Sequence, residues 1–478
     1  MFASDGNGLA TTRGGSRALR RRGSPAAALF SLALIFCLFG PVAAARADAP
    51  ASTARASLAR LALQQAELTA AGSAAPMHFG CSVAISGDTA LVGADGMGRE
   101  QRPGRVGAAY VFVRSGGVWT QQQELKAADT ARDDRFGTAV ALVGDTALVG
   151  APYHKVAGKR PAGAAYVFVR SAGGWTQQQE LKAADTARDD RFGMSVALSE
   201  DSALVGAPGR SVLGEPDVGA AHVFVRSGGV WTQQQVLRPE GVVERWPYFG
   251  QTVALDGDTA LVGEGGSLGA ACVFVRSGGV WTQQQRLTPG AGSAGTGFGW
   301  SAVALSGDTA VVGAMYCNVA GKREAGAAYV FARAAGVWTQ QQKLTDADRM
   351  RWDHFGTGVA LSGDTALIGA PWDFGQGKHA TGGAAYLFTR SGGIWTQRQQ
   401  LKAADTASGY FFGGSVALAG NAALISASGH PFAGTQKYGA AYVFTLDAAP
   451  TSKSAAIKSM ESVGSLLQAC LPQFVPPS

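Results

Sequence analysis

Residues 136–152 read FGTAVALVGDTALVGAP, and residues 163–191, after a short variable segment, read GAAYVFVRSAGGWTQQQELKAADTARDDR. This pattern returns along most of the chain. Its Phe-Gly pair recurs at intervals of 49 to 57 residues, and a Trp-Thr-Gln segment recurs with it. A fixed period of this length indicates a repeat architecture. The Phe-Gly pairs begin at Phe79, Phe136, Phe192, Phe249, Phe298, Phe355 and Phe412.

Each unit predicts four short β-strands, which we label A to D. Strand A contains the first Val-Ala-Leu, strand B is the Thr-Ala-Leu-Val-Gly-Ala segment, strand C contains Tyr-Val-Phe, and strand D begins at the Trp. Gly144-Asp145 separates A from B and a Gly-rich turn separates C from D, as tight hairpins require. The sequence therefore predicts an all-β fold, a seven-bladed β-propeller of four-stranded antiparallel blades.

The two ends of the repeat array indicate how the ring closes. The last unit ends after its strand C, at Tyr442-Val443-Phe444, and no Trp-Thr-Gln segment follows. Before the first unit, LQQAEL at residues 63–68 ends 11 residues before Phe79, the spacing that also separates Leu125 from Phe136. We therefore expect the N-terminal strand to complete the last blade and leave no open sheet edge.

The landmarks Phe136-Gly137 and Gly150-Ala151-Pro152 resemble the FG-GAP repeat, which builds the seven-bladed head of integrin α chains and occurs in many bacterial secreted proteins. The resemblance covers residues 62–446. It implies ligand binding by loops on one face. In integrin-like repeats calcium sits in an Asp-rich A–B loop, but here that loop has shrunk to Ser86-Gly87-Asp88 and its copies. One aspartate on a tight turn cannot offer the six or more oxygens that calcium prefers. The family's calcium sites are therefore not expected here and we expect no cofactor, with calcium elsewhere in the chain as the alternative.

The N-terminal region has the three parts of a secretory signal peptide. A basic stretch ends at Arg22, an apolar run of about 15 residues follows, and small residues lead to Ala47. That run is shorter than the roughly 20 residues of a membrane-spanning helix. We assign 1–47 to a signal peptide, 48–61 to a lead-in, 62–446 to the propeller, and 447–478 to a linker and short amphipathic helix. The chain is thus expected to be exported, to the periplasm, the cell surface or the medium.

Charge excludes one class of partner. The formal net charge is +7, but residues 1–47 hold six arginines and a single acid, Asp5. Without them, 35 basic and 33 acidic residues remain, which is no electrostatic footprint for nucleic acid.

The long B–C and D–A loops share one face and differ from blade to blade, so they carry the candidate ligand-binding residues. Aromatic side chains at loop tips are good anchors for a protein or glycan, although they also pack loops internally. The candidates are Tyr153, His154, Tyr316, Trp372, Asp373, Phe374, His430 and Phe432.

The D–A loops of the first two units repeat Ala-Asp-Thr-Ala-Arg-Asp-Asp-Arg. Their carboxylates are candidate metal ligands, but regular Asp beside Arg more often marks structural ion pairs, here with Arg135 and Arg191. The six carboxylates belong to Asp129, Asp133, Asp134, Asp185, Asp189 and Asp190.

Catalytic motifs are missing from the sequence, because the six histidines do not recur from unit to unit along the array and no nucleophile or metalloprotease motif occurs. Cys81, Cys272, Cys317 and Cys470 remain after signal removal, as buried thiols or as disulfides. We expect a non-enzymatic binding or adhesion module. The alternatives are a scaffold without a ligand of its own and, third, an extracellular hydrolase or lyase.

Overall fold

The structure is a computed structural model that describes residues 62–71, 78–96, 106–156, 162–185, 187–211, 217–240, 247–266, 269–290, 296–348, 350–372, 382–405, 410–429 and 439–446. These residues contain strands and turns and no helix. Accordingly, no helix in this part of the chain has the length and apolarity to cross a membrane.

The strands form seven antiparallel sheets of four, which we number as blades one to seven. Blade one comprises β2 (Phe79–Ser86), β3 (Thr89–Ala94), β4 (Ala108–Ser115) and β5 (Val118–Leu125). Blade two comprises β6 (Val140–Val143), β7 (Thr146–Ala151), β8 (Ala164–Ser171) and β9 (Gly174–Leu181). Blade three comprises β10 (Ser195–Ser199), β11 (Ser202–Ala207), β12 (Ala220–Ser227) and β13 (Val230–Leu237).

Blade four comprises β14 (Val253–Asp256), β15 (Thr259–Glu264), β16 (Ala270–Ser277) and β17 (Val280–Leu287). Blade five comprises β18 (Phe298–Ser306), β19 (Thr309–Ala314), β20 (Ala327–Ala334) and β21 (Val337–Leu344). Blade six comprises β22 (Val359–Ser362), β23 (Thr365–Ala370), β24 (Ala384–Ser391) and β25 (Ile394–Leu401). Blade seven comprises β26 (Phe412–Ala419), β27 (Ala422–Ala427), β28 (Ala440–Leu446) and β1 (Ala62–Leu68).

The order of blade seven, β1-β28-β27-β26, confirms the predicted seven-bladed propeller and its closure. Strand β1 pairs antiparallel with β28, with Ala62 opposite Leu446 and Leu68 opposite Ala441. Its irregularity between Gln64 and Ala66 repeats the bulge found in the C–D pairs of the other blades. The N-terminal strand therefore occupies the position of a strand D in full register.

The Phe-Gly pair places a large ring and a sharp turn at the junction between blades. The Phe136 ring is fully buried and packs on Tyr166 and Phe168, at centroid distances of 5.6 and 6.0 Å. Gly137 has φ of 91°, and a Cβ there would lie 2.2 Å from the carbonyl oxygen of Ala108 in the preceding blade. Only glycine fits this contact, so the motif fixes how closely neighbouring blades approach.

Glutamines of strand D join neighbouring blades. Gln123 Nε2 donates to the Trp175 carbonyl at 2.7 Å, and Gln123 Oε1 accepts from the Trp175 amide at 2.8 Å. We call this pair of bonds the glutamine clasp. At the junction between blades six and seven, Gln399 makes the same two bonds with Ala62, at 3.1 and 2.9 Å. Strand β1 is therefore held by its neighbour as any strand D is.

Several sequence assignments lie outside the described residues: the signal peptide, the lead-in up to residue 61, the linker and the C-terminal helix. Within the described part, Cys81, Cys272 and Cys317 are free thiols, and Cys470 lies outside it.

Candidate functional site

The blade topology separates two faces of the ring. Tight A–B and C–D hairpins lie on one face, and the longer B–C and D–A connections lie on the other, because strand direction alternates within each blade. Side chains at the ends of β19 and β23 and at the starts of β18, β22 and β26 therefore meet on the second face, which we call the loop face.

Aromatic side chains from blades five, six and seven form a connected group on the loop face. The Tyr316 and His354 rings are 5.5 Å apart, His354 and Trp372 are 5.9 Å apart, and Trp372 and Phe411 are 4.5 Å apart, between centroids. Tyr316 and Trp372 are 40% and 44% exposed. Together with Trp352, which is 37% exposed, these residues constitute the aromatic platform.

Local backbone geometry holds the platform in place. Trp352, His354 and Phe411 all have positive φ, of 71°, 54° and 53°. Such values are uncommon in residues other than glycine and persist only when the surroundings enforce them. Here the Trp352 amide donates to the Arg323 carbonyl at 3.0 Å, and the Tyr316 amide donates to the Thr296 carbonyl at 2.9 Å. The platform is thus preorganised by backbone bonds between neighbouring loops.

Charged groups border the platform. The Arg323 guanidinium lies 4.7 Å from the ring centroid of Trp352, within cation–π distance. His354 Nε2 is 3.4 Å from Glu324 Oε2. Burial lowers the pKa of His354, although Glu324 opposes this shift by stabilising the charged form. The platform therefore has a neutral imidazole at its centre near neutral pH and exposed cations, Arg323 and Arg351, at its edge.

The structure divides the predicted ligand-binding residues into three groups. Tyr316 and Trp372 belong to the platform. Tyr153 lies beneath the Arg135 guanidinium at 4.2 Å in blade two, and His154 is buried there. Four candidates, Asp373, Phe374, His430 and Phe432, lie outside the described residues.

Sequence reasoning missed three members of the platform. His354 and Phe411 sit directly before the sixth and seventh Phe-Gly pairs, and Trp352 lies two residues before His354. All three are in D–A loops, whereas the aromatic candidates named from the sequence all lie in B–C loops. The sequence nevertheless contains a feature that could have identified these three residues. Each is an aromatic residue at or near a position that holds arginine in blades two and three, at Arg135 and Arg191.

The clustered aspartates of blades two and three have structural partners. Asp134 and Asp190 are almost fully buried, and each accepts a hydrogen bond from a backbone amide three residues earlier. Asp190 also pairs with Arg210 at 3.1 Å, and Asp134 Oδ2 lies 2.8 Å from His154 Nδ1. The sequence suggested Arg135 and Arg191 as pairing partners. In the structure Asp134 and Asp190 instead contact His154 and Arg210, which occupy equivalent positions in blades two and three.

The remaining aspartates of the two loops are more exposed. Asp129 and Asp185 occupy equivalent positions, and they face His154 and Arg210 respectively. Asp133 and Asp189 pair with the arginine just before each, at 3.6 and 3.2 Å.

His154 lies among three carboxylates. Its Nε2 is 3.6 Å from Asp129 Oδ2 and 3.7 Å from Glu180 Oε1, and its Nδ1 contacts Asp134. Burial alone would lower the pKa of His154, but the bond and charge of Asp134, with the charges of Asp129 and Glu180, outweigh it and raise the pKa. Arg210 fills the equivalent place in blade three. The carboxylates at this position therefore favour a cation, and they stabilise the protonated form of His154.

The A–B turn aspartates are bound to arginines. Asp88 Oδ1 accepts from Arg114 Nε at 2.6 Å, and the Arg114 guanidinium lies 5.5 Å from the Trp119 ring centroid. Equivalent ion pairs occur in blades two to six, at Asp145–Arg170, Asp201–Arg226, Asp258–Arg276, Asp308–Arg333 and Asp364–Arg390. The aspartates of the A–B turns thus join strand C to the hairpin.

Two groups of three possible metal ligands occur among the described residues: Asp129, His154 and Glu180, and a second formed by His78, Cys81 and Asp95. In the second, His78 Nδ1 is 2.8 Å from Asp95 Oδ1, and Cys81 Sγ donates to the Gly137 carbonyl at 3.2 Å. Burial and the Asp95 charge raise the pKa of the Cys81 thiol well above its usual value. The thiol is therefore protonated near neutral pH and is a poor nucleophile as it stands.

Comparison with known families matches the FG-GAP repeat to more than half of the chain, and the chain belongs to this family. The matched residues are 63–112, 119–168, 175–224, 281–331, 338–388 and 395–444. Each match begins in a strand D and ends in strand C of the next blade. The interval between residues 224 and 281 contains strands A to C of blade four, where Glu264 and Cys272 replace the usual Ala and Tyr.

Two solved structures that are similar to this chain share little of its sequence. A periplasmic gluconolactonase of Pseudomonas aeruginosa is 17% identical with a TM-score of 0.45, covering 69% of this chain and 86% of that one. A chain of a mitotic checkpoint complex is 13% identical with a TM-score of 0.48, covering 88% of this chain and all of that one. Neither likeness bears on function. No curated protein matches the sequence significantly.

Proposed function

We propose that this chain is an exported, non-enzymatic recognition module that binds a protein ligand on the aromatic platform. The observation that carries the proposal is the continuous contact from Tyr316 through His354 and Trp372 to Phe411 on the loop face. Three of the platform side chains remain more than one third exposed, and grouped exposed apolar residues are typical of interaction sites.

The composition of the platform favours a protein as the ligand. Trp, Tyr and Arg are the residues that contribute most to binding energy at protein interfaces, and all three occur here, with Arg323 beside Trp352. Positive φ values hold the rings before a ligand arrives, which lowers the entropic cost of binding. The exposed Arg351 favours a ligand with acidic side chains, and Arg323 adds to this although it also contacts Glu324 at 3.3 Å.

A glycan is the second candidate, because the exposed faces of Tyr316 and Trp372 are also suitable for stacking on a sugar ring. The scaffold alternative predicts no specific ligand. The hydrolase or lyase alternative lacks support in the platform, where the central His354 faces a glutamate at 3.4 Å and no activated nucleophile lies among its described neighbours. Export rests on the N-terminal signal-like sequence and the family resemblance.

The proposal is tested by presenting the purified chain to displayed random peptides and to a glycan array. A Tyr316→Ala/Trp372→Ala variant is compared with Ile394→Ser, which removes an exposed side chain from the opposite face of blade six. We expect peptide binders rich in Asp and Glu that lose at least tenfold in affinity with the double variant and keep it with Ile394→Ser. Sugar-only binders would favour the glycan candidate. Peptides that bind the double variant as tightly as the unmodified chain would overturn the platform proposal, and so would a selection that yields no binder.

A further inference from the structure

We propose that His78, Cys81 and Asp95 bind a transition-metal dication of the zinc type at the loop-face end of blade one. One nitrogen, one sulfur and one oxygen donor lie within 4.8 Å of one another. Imidazole, thiolate and carboxylate are the three side-chain ligands that zinc uses in proteins. The site is separate from the aromatic platform, which is formed by blades five to seven, and it does not depend on the proposed recognition function.

The repeat itself shows that this combination is particular to blade one. The three positions are the residue before Phe-Gly, the residue after it, and the residue after the strand-B Gly-Ala pair. In blade two they are Arg135, Thr138 and Pro152, and in the other blades no more than one of the three is a metal-ligating type. The residues are Arg191, Met194 and Pro208 in blade three; Tyr248, Gln251 and Gly265 in blade four; Gly297, Trp300 and Met315 in blade five; His354, Thr357 and Pro371 in blade six; and Phe411, Gly414 and Ser428 in blade seven.

The fold brings the three donors together by backbone geometry. Cys81 donates its amide to the His78 carbonyl at 3.1 Å, so the chain turns around Phe79 and Gly80 and returns Cys81 toward His78. His78 itself has positive φ, of 61°. Phe79 pairs with Ala94, the last residue of β3, which places Asp95 beside His78. These constraints come from the strands and not from the side chains, so the donors are preorganised.

Charge and burial are consistent with a dication. Asp95 is only 5% exposed, whereas His78 is 33% exposed, so the cluster reaches solvent through His78. A neutral imidazole, a thiolate and a carboxylate carry a combined charge of −2, which a dication neutralises. The metal replaces the Cys81 proton, which Sγ otherwise directs to the Gly137 carbonyl. Binding therefore releases protons and weakens as the pH falls. Three protein ligands leave a fourth position to solvent.

The test measures cobalt and zinc binding to the purified chain. Cobalt bound through Cys81 should give a sulfur-to-metal charge-transfer band in the near ultraviolet and tetrahedral visible bands, and zinc should displace it at one equivalent. His78→Arg, Cys81→Thr and Asp95→Pro each install the residue of blade two and so suit the repeat fold. We expect each to weaken zinc binding at least a hundredfold in competition with a chromogenic chelator, and Cys81→Thr to abolish the charge-transfer band.

Two controls keep the test specific. Cys272→Ser removes another buried thiol near a carboxylate, with Sγ and Glu264 Oε2 3.9 Å apart, and His354→Ala removes the histidine at the equivalent repeat position. Both should bind cobalt and zinc as the unmodified chain does. A chain that gives no thiolate–cobalt band, or zinc affinity that survives all three blade-one variants, would overturn the proposal. Circular dichroism confirms that each variant is folded.

Discussion

The indole Nε1 of Trp175 donates a hydrogen bond of 3.1 Å to Gln122 Oε1 in the preceding blade. The same bond recurs at four further junctions, with Trp231, Trp281, Trp338 and Trp395 as donors. Trp119, at the seam between blades seven and one, has no hydrogen-bond partner for this nitrogen among the described residues. Ala66 in β1 stands where other blades carry the clasp glutamine. The closing seam is therefore weaker than the other junctions.

We predict that Ala66→Gln stabilises the propeller. The new side chain should form the glutamine clasp with the backbone of Trp119, as Gln123 does with Trp175. Two neutral hydrogen bonds of this kind contribute roughly 1–2 kcal/mol together, which urea unfolding would detect as a higher midpoint. Gln179→Ala, which removes an intact clasp on Trp231, should shift the midpoint the other way. An unchanged or lower midpoint for Ala66→Gln would count against the weak-seam account.

Closure by β1 makes a second prediction, with a control inside the same strand. Leu68 is 2% exposed and belongs to the core cluster of blade one, whereas Leu63 is 42% exposed. Leu68→Ala should destabilise the fold by about 2–5 kcal/mol through lost burial and a cavity, and Leu63→Ala should have little effect. Equal effects of the two substitutions on the thermal melt would contradict the observed register of β1.

His222 should make the fold sensitive to acid. Burial, reinforced by the positive charge of Arg210, lowers the pKa of His222 to about 4. In the unfolded chain the imidazole protonates near pH 6.5, so the unfolded state binds more protons between these values and stability falls as the pH falls. A fully expressed shift corresponds to about 3 kcal/mol.

The matched variant is His222→Tyr, which installs the residue found at this position in five of the other six blades. Its stability should decline less than that of the unmodified chain between pH 6.5 and pH 4, measured by urea unfolding. Parallel pH profiles for the two proteins would show that His222 titrates normally in the folded state.

His154 should act in the opposite direction. Its folded-state pKa is raised, so its contribution to stability is complete below pH 6.5 and is lost as the pH rises through the folded pKa. His154→Gln removes the charge and should be most destabilising at pH 6 and progressively less so toward pH 8.5. His154→Arg, which copies Arg210 of blade three, should keep the ion pairs throughout this range. A His154→Gln deficit that is independent of pH would show that the imidazole is neutral.

The periodic features of the fold could be predicted from the sequence, because they repeat. Seven Phe-Gly pairs and the 11-residue spacing from Leu68 to Phe79 specify the blade number and the closing strand, and the structure confirms both. The sequence identifies the hairpin between strands A and B as a turn, but it does not reveal the ion pair between the hairpin aspartate and the arginine of strand C. The pairing of Asp88 with Arg114 joins residues 26 positions apart, and nothing in the spacing alone indicates it.

The sites were harder to predict from the sequence. The aromatic platform combines residues from different repeats, and the His78, Cys81 and Asp95 group consists of residues that differ from the repeat consensus within one blade. Tyr316 and Trp372 were visible as loop aromatics, but their connection through His354 depends on how blades five and six adjoin. His78, Cys81 and Asp95 lie up to 17 residues apart and match no metal-binding motif. Aligning the blades against one another would have revealed both sets, since each consists of residues that differ from the repeat.

The platform is tested most directly by hydrogen–deuterium exchange of the purified chain, alone and with the tightest peptide obtained from the display selection. The account predicts slower exchange on binding at residues 315–324, 350–354 and 410–411, with the A–B and C–D hairpins unchanged. Protection confined to the hairpin face, or to the loops of blades one to three, would contradict it.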